Sequence, residues 1–221
     1  MSDQVVEPEA LALEAMNRIP QQGRSKASLE RMLAAARELM LERSSEDFTL
    51  QEVSKRGNVS IGSIYLRFES KDNLVRTVLG QAMQALQQSE DDMLERLAAE
   101  CASLDEFVPR YVEAYAEVLS VNAPLLRLAM TRAESDPLVA APGKQTALHA
   151  VRQAIAVMLK YAAEFGGSDC ENRASSAYHV IFATLARELS LGSSAEAVTN
   201  YDWPSLKREL GRMCLAYLKS K

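Results

Sequence analysis

Proline and glycine are scarce, at 7 and 9 residues in a chain of 221. β-Branched residues are few beside Ala, Leu, Glu and Arg. That shortage excludes collagen-like, low-complexity and strand-rich architectures and leaves helices as the default. Cysteine occurs three times, at Cys101, Cys170 and Cys214, with no paired spacing. An odd, scattered set argues against a disulfide framework or a zinc site and for a reducing compartment. The only histidines are His149 and His179, and no His-Glu-x-x-His, Gly-x-Ser-x-Gly or phosphate-loop motif occurs. Catalysis, a metal and a cofactor are therefore not expected. No apolar run approaches the ~18 residues of a membrane span, and the acidic start MSDQVVEPEALALEAM lacks a signal-peptide plan. A soluble, cytoplasmic protein is the expectation.

What is present is apolar surface in helical rhythm. Apolar residues make up 48% of the chain, enough for a core, and the formal net charge is −5. The charge is uneven. Residues 21–76 hold ten basic and eight acidic side chains, while residues 1–20 hold one and four. The one positive segment also carries the densest pattern.

Residues 1–23 read as an arm, with a short helix over Glu9–Asn17. The first strong helix starts near Ser25 or Ser28 and ends near Arg43, with Leu29, Met32, Leu33, Ala36, Leu39 and Met40 on one stripe. Thr49 and Glu52 have capping-box spacing for a short second helix that stops at Gly57-Asn58. Ser60 caps a third helix, and Ser70 caps a fourth that runs to about Glu100. Beyond it the pattern predicts helices over Ser103–Val121, from Pro124 to about Ser135, from Pro142-Gly143 to Phe165, over Glu171–Leu191 (stopped by Gly192), and from Asp202-Trp-Pro204 to the end. The fold class expected is all-α, with about nine helices. The domains expected are an arm (1–23), a trihelical head (24–75) and a second lobe (76–221).

Two short helices joined by about three residues, on a third, describe a helix-turn-helix. Its recognition helix offers small residues near base edges. Gly62 lacks a Cβ, and Ser60 and Ser63 can bond phosphate or base. Ile61 presents an apolar group. Tyr65, Lys71 and Arg67 reach toward phosphate or guanine, and Thr49 and Ser70 place helix N-termini near the backbone. Tyr65 could instead pack in the core, Lys71 could sit in solvent, and Ser60 could be a cap alone.

The stretch FTLQEVSKRGNVSIGSIYLRFESKDNL resembles the DNA-binding region of the TetR family of transcriptional regulators. The likeness is carried by Thr49, Val53-Ser54, Gly57-Asn58-Val59-Ser60, Gly62, Ser63, Ile64-Tyr65, Phe68, Lys71 and Leu74. Two departures stand out: Gly57 and Asn58 occupy positions where the family usually has Ala and Gly, and Ile61 stands where Lys or Arg often touches DNA. The resemblance implies a homodimeric regulator of double-stranded DNA, most often a repressor, with a small-molecule effector of unknown identity.

Under that implication the second lobe holds a pocket and a dimer face. Tyr111, Tyr115, Leu126, Met130, Met158, Tyr161 and Phe182 are candidate pocket lining. Ser175, His179, Ala183, Ala186, Leu206, Leu210, Met213 and Tyr217 are candidates for the interface, through a four-helix arrangement. Core packing within one subunit is the competing reading for both sets. The rival functional classes are a helical small-molecule binding protein or enzyme without DNA binding, and a helix-turn-helix module that no longer binds DNA.

Overall fold

The computed structural model describes residues 23–191 and 202–221. The Glu9–Asn17 helix and the Gly192 stop expected from sequence lie outside them, as does the expected arm except for Gly23. Among the described residues there are eight α-helices and no strand. They are α1 (Gly23–Arg43), α2 (Leu50–Arg56), α3 (Ile61–Tyr65), α4 (Lys71–Glu100), α5 (Leu104–Ala133), α6 (Pro137–Met158), α7 (Cys170–Glu188) and α8 (Trp203–Lys219). A 3₁₀ segment, Leu159–Glu164, follows α6. The all-α expectation holds, and the helix count is close to the nine expected.

Two compact units divide the chain. The first comprises the described part of Met1–Gln84 together with Pro124–Thr146; the second comprises Ala85–Ala123 and Ala147–Lys221.

In the first unit the α1 stripe does what its spacing requires. Leu29, Met32, Leu33, Ala36, Leu39 and Met40 are all buried. They pack with Phe48, Leu50, Val53, Ile64, Phe68, Leu74 and Leu79, and with Leu125, Ala129 and Val139 from the later segment. Each fully buried Leu, Ile or Phe contributes roughly 1.5–3 kcal/mol. This core fixes α2 and α3, which are too short to be stable alone.

In the second unit an aromatic column forms the interior. Phe107, Tyr111 and Tyr115 recur every four residues on α5, so their rings stack along one face. The centroids are 5.6 Å apart for Phe107–Tyr111 and 5.4 Å for Tyr111–Tyr115. Tyr161 stacks on Phe107 at 5.2 Å, and Tyr178 meets Tyr115 at 6.2 Å. The Glu164 carboxylate accepts from the Leu104 N–H at 3.0 Å, capping α5. Arg173 on α7 donates to the carbonyls of Tyr217 (2.9 Å) and Ser220 (2.7 Å), satisfying the end of α8.

Three boundaries differ from expectation. Pro124 lies inside α5 and does not open a new helix. The buried positions Leu119, Ala123, Leu125 and Ala129 continue across it, and burial along that stripe outweighs the one N–H that Pro lacks. Likewise α6 starts at Pro137 and passes through Pro142. Asp136 is its N-cap, accepting from the Leu138 N–H at 3.2 Å, and Pro137 is the favoured first residue. At the far end α6 stops at Met158; the stretch to Glu164 tightens into 3₁₀ turns, and Phe165 is extended.

Candidate nucleic-acid interface

The helix-turn-helix is built from local hydrogen bonds. Thr49 has extended backbone (φ −108°, ψ 155°) and caps α2. Its Oγ1 accepts from the Glu52 N–H at 3.2 Å, and its own N–H donates to Glu52 Oε2 at 2.8 Å. Arg43 closes on the same carboxylate at 2.5 Å. The Arg43 hydrogen bond, then those from Thr49, hold the Glu52 carboxyl down to about 2. The Thr49 hydroxyl also donates to Glu52 Oε2 at 3.0 Å, so both Thr49 donors are already occupied, which limits Thr49 as a phosphate contact.

The turn after α2 uses its two small residues differently. Asn58 carries the left-handed backbone (φ 48°), which Asn tolerates better than most residues. Gly57 is right-handed (φ −78°). A Cβ there would lie 2.9 Å from the Arg31 carbonyl and 3.1 Å from that of Val53. Gly57 therefore serves close approach to α1, and Asn58 serves the turn. Ser54 completes the corner: its Oγ donates to the Val59 carbonyl at 2.6 Å, and its carbonyl accepts from the Val59 N–H at 3.1 Å.

Ser60 caps α3, accepting from the Ser63 N–H at 3.1 Å, and its hydroxyl also pairs with that of Ser63 at 2.7 Å. Ile64 and Phe68 are fully buried and anchor the helix. The opposite face is open. Ser60 and Gly62 are exposed, and Ile61 and Ser63 are half-buried. Tyr65 and Leu66 are 54% and 58% exposed. Nothing lies within 4 Å of a Cβ placed on Gly62. The alternative of Tyr65 as a core residue therefore fails.

Two expected contact residues sit differently. Arg67 is buried, with its Nη2 donating to the Ser25 carbonyl at 3.0 Å and to Ser25 Oγ at 2.9 Å. Its place three residues after Ile64 puts it on the inward face, so it fastens α1 rather than reaching for guanine. Lys71 is half-buried; its Nζ donates to the Glu46 carbonyl at 2.8 Å and lies 5.2 Å from the Phe48 ring centroid. Ser70 caps α4, accepting from the Asn73 N–H at 3.2 Å.

The second-lobe candidates separate as well. Tyr111, Tyr115, Met158 and Tyr161 are buried in the second unit, and Phe182 there is half-buried, 6.2 Å from Tyr178. Leu126 and Met130 belong to the segment grouped with the first unit. Among interface candidates, Ala186 and Leu210 are buried in the chain's own core, so they do not present a face to a second copy. His179, Ala183, Met213 and Tyr217 are exposed, and Ser175 and Leu206 are half-buried. Val180, not anticipated, adds an exposed apolar side chain to α7.

Sequence reasoning also missed Asp136 and Glu90. Only the i, i+4 spacing of Arg132 and Asp136 hinted at a pair. Among the described residues no group of three or more His, Cys, Asp or Glu could hold a metal, and no helix is long and apolar enough to cross a membrane.

Residues 32–78 match the family model described as bacterial regulatory proteins, tetR family. None of the curated proteins compared matches the chain in sequence. Solved structures share the fold. A transcriptional regulator from Cytophaga hutchinsonii aligns with TM-score 0.64 and 15% identity, over 87% of this chain and 98% of its own. The fatty acid degradation regulator FadR from Bacillus halodurans gives 0.62 and 13%, over 91% and 100%. The TetR-family regulator PfmR from Thermus thermophilus gives 0.58 and 17%, over 86% and 98%. The chain thus carries, at residues 32–78, the helix-turn-helix domain of the TetR family of DNA-binding transcriptional regulators, on the fold that regulators of this kind share.

Proposed function

We propose that two copies of this chain bind a near-palindromic operator and repress transcription until a small molecule releases them. The observation that carries this reading is the outward face of α3. A tyrosine and a leucine stand in solvent beside a glycine whose missing Cβ serves no internal contact. An exposed helix position favours Ala over Gly by about 1 kcal/mol, so Gly62 makes sense where an outside surface must come close. Ser60, Ile61, Gly62, Ser63 and Tyr65 would face the major groove, with Lys71 at its edge. The two α3 helices of a dimer would enter grooves about 34–36 Å apart.

Residues 24–75 would be the DNA-binding domain and 76–221 the effector and dimer domain. Val180, Met213 and Tyr217 are 53%, 61% and 43% exposed on α7 and α8, which supports a face covered by a second copy. Release by an effector requires different affinity for the two states, about 10⁴-fold for a full swing. The role is non-enzymatic and cytoplasmic.

Fragments of the source genome captured by the purified protein, followed by anisotropy titrations at several salt concentrations, test the proposal. The logarithm of the affinity should fall linearly with log salt, as phosphate contacts require. Failure to bind any fragment in dilute buffer would overturn it.

A further inference from the structure

The outward face of α3 carries no side chain built to pair with a base edge. From Ser60 to Leu66 the sequence reads Ser-Ile-Gly-Ser-Ile-Tyr-Leu. It lacks Arg, Lys, Asn, Gln, Asp and Glu, the residues that pair with guanine, adenine or cytosine in the major groove. The next residue, Arg67, is buried and turned onto Ser25 at 2.9 and 3.0 Å. The Ser60 and Ser63 hydroxyls are bonded to each other at 2.7 Å, and Ser60 Oγ also accepts from the Ser63 N–H at 3.1 Å. A serine hydroxyl both donates and accepts, so it separates one base from another poorly.

What that face does present is apolar. Leu66 and Tyr65 are exposed. They follow Gly62 at i+4 and i+3, so the three positions share one face. Leu66 keeps helical backbone (φ −66°, ψ −24°), and its N–H donates to the Gly62 carbonyl at 3.0 Å. Nothing lies within 4 Å of a Cβ placed on Gly62, so the surface in front of that position is open. Leu66 lies outside the core that Ile64 and Phe68 join.

We propose that α3 reads its operator through thymine C5-methyl groups, with Leu66 as the residue that sets specificity and Tyr65 beside it. The inference rests on the DNA-binding reading above and names what this face recognises. The chemistry of the groove selects the occupant. The thymine methyl is the distinct apolar group that a base pair presents there. The other distinguishing edge atoms are donors and acceptors, which a leucine would strip of water without replacing their hydrogen bonds. Phosphate oxygens are unsuited to it for the same reason.

The length of the helix agrees with this. α3 has five residues, about 7.5 Å of axis at 1.5 Å per residue. That is less than the ~12 Å width of the major groove. Leu66 at its C-cap can therefore lie in the groove together with Ser60 at its start. Ile61 is the other apolar side chain of this segment, but it is half-buried against the core of the head. Leu66 has the freer side chain.

A captured duplex fragment tests this by anisotropy with the full chain. Its thymines are replaced one at a time by deoxyuridine, which keeps the pairing edge and removes only the methyl. The wild-type chain should lose about four-fold in affinity at one or more thymines of each half-site, the effect of one buried carbon. Leu66→Ala, checked for an unchanged melting temperature, should bind the unmodified fragment about four-fold or more weakly. It should show no further loss when the same thymine becomes deoxyuridine. A deoxyuridine effect that persists in full in Leu66→Ala reports DNA shape and overturns the assignment, as does equal binding of the unmodified fragment by wild type and Leu66→Ala. A changed oligomeric state in Leu66→Ala would make this face a contact between copies and overturn it too. Undiminished binding of every deoxyuridine copy overturns methyl readout and leaves the regulator reading standing. Capture of no fragment at all overturns both.

Discussion

Arg132 on α5 donates from Nη1 to the Glu46 carboxylate, in the loop before α2, at 2.8 Å and across 86 positions of sequence. The same guanidinium reaches Asp72 in the first turn of α4 at 3.0 Å and the α6 cap Asp136 at 2.9 Å. Asp136, 5% exposed, also accepts from Arg76 at 2.8 Å. The Glu46 carbonyl receives Lys71. One side chain from the later segment of the first unit thus ties the loop before α2 to the start of α4.

Arg132→Ala should therefore destabilise the fold by about 1–3 kcal/mol, because Asp136 keeps Arg76 while Glu46 loses its partner. Urea unfolding reads the loss. Its pH dependence has a defined sign. Burial alone would raise the Asp136 carboxyl, but the hydrogen bonds from Arg76 and Arg132 outweigh it and hold the group below its ordinary value of 3.8. The stabilisation is present above that value and disappears as pH falls through the folded value. The gap between Arg132→Ala and wild type should narrow on acidification. A gap that widens would contradict the assignment.

Gly62→Ala should move stability and DNA binding in opposite directions. A Cβ at position 62 meets nothing, so the helix gains about 0.5–1 kcal/mol from the better helix former. The same methyl stands between α3 and the duplex. A higher melting temperature with weaker duplex binding is expected. Unchanged binding would show that Gly62 faces away from DNA.

Tyr65→Ala and Lys71→Ala should both weaken duplex binding and leave the oligomeric state seen by gel filtration unchanged. They should differ in stability. Tyr65 is exposed, so its loss stays within about 0.5 kcal/mol. Lys71 bonds the Glu46 carbonyl and covers Phe48, so its loss costs about 1 kcal/mol. Equal melting temperatures for the two variants would remove the structural role given to Lys71.

The head was legible because its signals are local. Thr49 with Glu52, Asn58, Ser60 and Ser70 act within three or four residues, and each does what its chemistry predicts. Arg67 misled because it was read for its charge, although its spacing from Ile64 already placed it inward. Pro124 and Pro142 misled because a proline marks a helix start and a helix interruption alike. Which applies at Pro124 depends on burial at Leu119 and Leu125, a tertiary fact. Ala186 and Leu210 needed the packing of α7 against α8 to be told from the exposed Ala183 and Met213. Glu90 gave no sign at all, being one glutamate in a run of acidic residues.

Glu90 on α4 makes a prediction through its own titration. Burial, then the like charge of Asp91, raises its folded carboxyl to about 8 against 4.5 for the free side chain. Between these values the folded chain keeps a proton that the unfolded chain has released. Stability contributed by this group is therefore full below about 4.5 and declines as pH rises toward 8. Glu90→Gln removes that titration and leaves the pair of Asp91 and His149, 2.8 Å apart, in place. Tyr111, Tyr115 and Tyr178, on which its charge acts, are raised chiefly by burial and titrate above the window, Tyr178 at about 12. Relative to wild type, Glu90→Gln should gain stability steadily from pH 5 to pH 8, reaching a difference on the order of a few kcal/mol. The sign separates this from a packing effect, which would offset the two curves by a constant. Parallel urea-unfolding curves across that range would mean that Glu90 is ionised in the folded chain and already has a counter-charge.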